Sequence, residues 1–129
     1  MKILILLFLL VSSLNATAKV VGIPHGWVEM ATPDPIILSW AKVIAGKKLE
    51  DSPTVMIQKH EHSKKWKSAL EKLPADSDGC KEVKAQSASD WNQLYCEKDQ
   101  SIYAFLWRGD EKETIPALEA ARKWLKVNE

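Results

Sequence analysis

The sequence predicts an α+β sandwich: a largely antiparallel β-sheet packed with two helices and pinned by one disulfide. Three observations carry this. Short runs rich in β-branched and aromatic residues alternate with Pro, Gly and Asp turns. Two segments, after Ser63 and after Thr114, place apolar residues at helical spacing. The only two cysteines, Cys80 and Cys96, stand 16 residues apart and bracket two strand-like runs. The expected order is β-(β)-β-α-β-β-β-α.

Taken along the chain, Lys19 to Gly26 is a lead-in broken by Pro24 and Gly26, and Trp27 to Ala31 reads as a short strand. Thr32-Pro33-Asp34-Pro35 is loop chemistry. Ile36 to Ala45 fits either a helical stripe or a buried strand, and its β-branched content favours strand for part of it. Gly46 to Ser52 is a polar turn. Thr54 to Glu61 is a strand beginning after Pro53, with Val55 and Ile57 on one face and Met56 on the other. Ser63 can cap a helix whose stripe is Trp66, Ala69, Leu70 and Leu73, stopped by Pro74.

Lys81–Gln86 and Trp91–Glu97 read as two strands joined through Ser87-Ala88-Ser89-Asp90. If Cys80 faces Cys96, Glu82 meets Leu94 and Lys84 meets Asn92. The other face then collects Val83, Ala85, Trp91 and Tyr95. Being the more apolar, it is the face expected to be buried, with the disulfide on the opposite one. Ile102 to Trp107 is apolar on both alternating faces, the mark of a central strand. The last helix is expected from an N-cap at Thr114, with Pro116 in its first turn and Leu118, Ala121 and Leu125 buried beside Trp124. The Gly26-Trp27 opening and this element order resemble PsbP-type domains. The resemblance is one of fold and implies no function.

Residues 1–18 read as a secretory signal peptide. Lys2 is the positive n-region, Ile3 to Val11 the apolar h-region, and Ala16-Thr17-Ala18 the small-residue cleavage site, with the cut before Lys19. The h-region, about 9 residues, is too short to span a bilayer, and no Cys at the cut offers a lipid anchor. Residues 19–129 are then a single small domain with no membrane span, and a bacterial periplasm is the expected compartment. The Asn15-Ala16-Thr17 sequon lies within the leader. In an oxidising compartment Cys80 and Cys96 are expected to pair. Closing a 16-residue loop contributes about 3 kcal/mol in the chain-entropy model.

The whole chain has 46% hydrophobic and 27% charged residues, which excludes a disordered, collagenous or coiled-coil chain. Cleavage removes Lys2 and leaves basic and acidic side chains equal in number. That balance argues against a nucleic-acid partner, whose binding needs neutralised phosphates. Lys59, Lys64, Lys65, Lys67 and Lys72 crowd the first helix, a pattern that ordinarily marks a solvated face. No nucleophile elbow, H-E-x-x-H, P-loop or dinucleotide fingerprint is present. The expectation is therefore an exported, non-enzymatic domain with no cofactor, binding an envelope or secreted protein partner.

Six Trp residues are the main resource for such binding. Trp66, Trp91, Trp107 and Trp124 fit core positions. Trp27 and Trp40 sit beside loops and are the candidate partner-binding indoles. The alternative is a small-ligand or metal-binding protein using His60 and His62. They share one face of an extended chain, and His25 or a carboxylate would complete the ligand set. Asp76-Ser77-Asp78-Gly79 begins like a calcium loop but lacks the later acidic positions and reads as a connection.

Overall fold

The structure, a computed structural model, describes residues 22–74, 79–87 and 90–129. The leader and most of the Asp76–Gly79 connection lie outside the described residues. Six strands form one antiparallel sheet: β1 Trp27–Glu29, β2 Ile36–Lys42, β3 Thr54–Glu61, β4 Lys81–Val83, β5 Asn92–Lys98 and β6 Ser101–Arg108. Their order across the sheet is β1-β2-β3-β6-β5-β4. Helix α1, Lys64–Glu71, follows β3, and helix α2, Glu111–Asn128, ends the chain. The α+β architecture and the order of elements are those the sequence predicts.

The segment with two readings, Ile36 to Ala45, is a strand over Ile36–Lys42. A register shift between Ile36 and Leu38 lets Ile37 as well as Leu38 and Trp40 pack on the core. That bulge blurs the alternation on which a sequence reading depends. β6 is central, as its two apolar faces require, pairing along its length with β3 on one side and β5 on the other. β5 turns into β6 through Asp99 and Gln100, both with positive φ, the two-residue turn whose twist suits a hairpin.

One face of the sheet is closed by the 18-residue α2. Val55, Ile57, Phe105, Trp107, Leu94, Leu38, Trp40 and Trp27 meet its stripe of Ala117, Leu118, Ala121 and Leu125 in a single core. Removing such side chains from water is the main force holding helix to sheet. Lys42 of β2 pairs with Glu113, and Lys59 of β3 pairs with Glu129 at 2.8 Å, so both ends of the helix are tied to the sheet.

The helix begins earlier than Thr114. Asp110 is its N-cap and accepts from the Lys112 amide at 3.1 Å. Thr114 is buried instead, its hydroxyl donating to the Asp110 carbonyl. Pro116 therefore falls in the second turn, where the Lys112 carbonyl goes without its i+4 donor. The extra first turn, Glu111 to Glu113, is charged, so it carries no apolar periodicity to announce it. Gly109 makes the turn from β6 into this helix at φ +122°, and a Cβ there would lie 2.9 Å from Pro53 Cα.

Cys80 and Cys96 are bonded, with S–S 2.07 Å and Cα–Cα 4.5 Å. The register follows from them: Lys81 opposes Tyr95, Glu82 opposes Leu94 and Val83 opposes Gln93. Pairing stops there. Lys84 does not pair with Asn92; the Ala85 amide instead donates to the Asn92 side chain at 3.0 Å. The expected faces are reversed. Leu94 and Cys80 are buried on the closed face, while Val83, Trp91 and Tyr95 on the other are only partly covered. Counting apolar residues within two strands misleads here, because β6 decides the matter: Leu94 opposes Phe105, and Phe105 already faces α2.

Candidate functional site

Among the described residues, the opposite face carries one helix, α1, of eight residues. Ser63 caps it, accepting from the Trp66 amide at 3.3 Å. Trp66 then lies 4.9 Å from the His60 ring and 5.6 Å from the Tyr95 ring. Lys81 holds the far end by donating to the Leu73 carbonyl at 3.0 Å. This helix covers the end of the sheet where β3 finishes. Burial there pushes the pKa of the Tyr95 hydroxyl up, and that hydroxyl donates to Gln93.

The other half of this face is less covered. One row across the sheet runs Ser39, Met56, Leu106, Gln93 and Val83. The next runs Val28, Ala41, Thr54 and Arg108. Met56, Leu106 and Val83 are half-buried and Val28 is exposed, although β3 and β6 are the two central strands. Arg108 lies across Trp91, its guanidinium carbon 4.6 Å from the ring centroid, and is steadied by donating to the Glu50 carbonyl at 2.7 Å. Apolar side chains flanked by an arginine–indole pair are the composition of a docking surface.

Trp27 and Trp40 are not part of it. As candidate partner-binding indoles they are corrected: Trp27 is 9% and Trp40 2% exposed, both in the closed-face core. Pairing places Trp27 opposite Lys42, two residues along β2 from Trp40, so both indoles turn toward α2. The partly exposed large apolar side chains of the sheet are instead Met56, Leu106 and Trp91. The alternation of Val55, Met56 and Ile57 separates the faces. It does not say which face a short helix leaves half covered.

His60 and His62 do lie toward one end of the sheet, and a carboxylate approaches, Glu97 standing 3.5 Å from His62 Nε2. His60 is otherwise engaged. Its Nε2 is 3.0 Å from the Gln58 side-chain oxygen and its ring meets Trp66. His25 precedes β1, beside the Lys42 end of β2, and β3 runs from that end to His60. At about 3.3 Å per residue this separates His25 from the pair by roughly 20 Å. Among the described residues no group of three His, Cys, Asp or Glu is placed to hold a metal. Nor, among them, is any helix long and apolar enough to cross a membrane.

No family model matches the chain, and neither a curated protein nor a solved structure matches it at a significant level. The likeness of element order to PsbP-type domains therefore adds nothing to the reading of the site.

Proposed function

We propose that the chain is an exported, non-enzymatic domain that binds a protein partner in the cell envelope through the half-covered part of its sheet. The observation that carries this is the partial exposure of Met56 and Leu106 on the two central strands, with Val28, Val83 and Trp91 around them. Apolar surface at the middle of a sheet is stabilised by being covered, and a partner supplies that cover. The leader supports export. The Cys80–Cys96 bond supports an oxidising compartment, for which the periplasm is our choice.

The test compares capture from native envelope extract by the wild-type protein and by Met56→Lys/Leu106→Lys, with Val127→Lys as a control. Val127 is exposed on α2 and lies outside this face. The partner should be retained by wild type and control and lost from the double variant, with the thermal transition of all three still cooperative. A partner held equally by all three would remove the surface from the reading.

A further inference from the structure

A second feature lies on the closed face, where the C-terminal half of α2 crosses β5 and β6. A cavity of about 390 Å³ opens there. Its floor is apolar: the Cys80–Cys96 disulfide, Phe105, Leu125 and the ring of Tyr103. Its rim is cationic: Lys98 from β5, with Arg122 and Lys126 from α2. Arg122 leans over the floor, its guanidinium carbon 6.0 Å from the Phe105 centroid.

The rim remains net positive: Glu97 also lines the cavity, exposed and 3.5 Å from His62, against the three cations. Glu129 accepts from Lys59 at 2.8 Å and from the Tyr103 hydroxyl at 3.1 Å. The volume lies in the range of about 300–1,000 Å³ typical of small-molecule sites. An apolar floor takes a hydrocarbon or aromatic body, and lysines on flexible stems at the rim take one negative charge.

We infer that this cavity binds a small amphipathic organic anion, an acyl or aryl carboxylate, with the apolar body against Phe105, Leu125 and the disulfide and the anionic head between Lys98 and Lys126. The site is independent of the docking surface, which lies on the other side of the sheet.

The probe is 8-anilinonaphthalene-1-sulfonate, titrated by fluorescence into the disulfide-intact protein, with decanoate and decanol as competitors. Binding should saturate at one site, weaken as salt is raised, and be displaced by decanoate well before decanol. Lys98→Glu/Lys126→Glu should lose about tenfold or more in dye affinity. Both lysines are exposed, so its melting temperature should stay near wild type. Met56→Lys/Leu106→Lys should bind the dye as wild type does. Non-saturable binding, equal displacement by decanol, or full affinity in the lysine double variant would each overturn the assignment. Loss of dye binding in the Met56/Leu106 variant instead would place the dye on the docking surface and overturn it too.

Discussion

The two faces of the sheet are built from the same strands and have different fates. Ile57 and Met56 are neighbours in β3; the first is fully buried beneath α2 and the second is only partly buried. On one side an 18-residue helix runs across the strands and is tied at both ends. On the other an eight-residue helix covers only the His60 and Tyr95 end. The lesson is a division along a period of two: one set of residues packs beneath α2, while the intervening set is buried at Ile102, Ala104, Ala41, Ser39 and Thr54 and partly exposed at Met56 and Leu106.

The sharpest way to break this contrast is to truncate both neighbours. Ile57→Ala should cost about 2–5 kcal/mol, the range for an emptied core site. Met56→Ala, whose side chain is only partly buried, should cost less, under about 1.5 kcal/mol. Urea denaturation of the two variants checks this, and equal losses would show that the second face is as structural as the first. Next in size is the disulfide, which joins β5 to the start of β4 from the closed side. Replacing both Cys80 and Cys96 by Ala should cost about 3 kcal/mol in the same titration. The unreduced, denatured wild type should titrate about zero free thiols.

Gly109→Ala comes third. At φ +122°, with Pro53 2.9 Å from the new Cβ, it strains the turn that delivers α2 to the closed face. It should cost about 1–3 kcal/mol, read as a lowered denaturation midpoint. The smallest effect belongs to Glu129, which the Lys59 ammonium and the Tyr103 hydroxyl hold below the usual carboxylate range against a smaller opposing effect of burial. A lowered folded-state pKa stabilises at neutral pH, and that contribution is lost as pH falls through it. Glu129→Gln should therefore be slightly less stable than wild type at neutral pH, and the gap should close in acid. The pair is partly solvated, so salt should narrow the gap as well. A gap that persists unchanged at low pH would remove the Lys59 pair from the account of how α2 is held.

Much of the fold is legible because its signals are local. Pro53 starts β3, Ser63 caps α1, and the cysteine spacing sets the β4–β5 register. Signals that depend on neighbours are harder to read. The face to which the disulfide turns was decided by Phe105 on β6, not by the two strands it joins. The first turn of α2 is polar because it lies in solvent, which hides it from an apolar stripe. Trp27 and Trp40 border loops in sequence, but β1–β2 pairing folds both under α2. The partly covered patch around Met56 and Leu106 was not legible at all: it follows from how far α1 reaches over the sheet, a fact of three dimensions. The cationic cavity is similar, since Lys98 and Lys126 come together only when α2 crosses β5 and β6.

Both outermost strands, β1 and β4, are three residues long. The strands of seven and eight residues are all interior; β6 is paired on both sides along nearly its whole length, whereas β2 meets β1 only at Trp40, Ala41 and Lys42, and β5 meets β4 only at Gln93, Leu94 and Tyr95. A foreign chain approaching either margin finds a template too short to extend, and at β4 it also meets Lys81 and Glu82. Addition of further strands, the route to fibrils and open-ended polymers, is blunted at both margins.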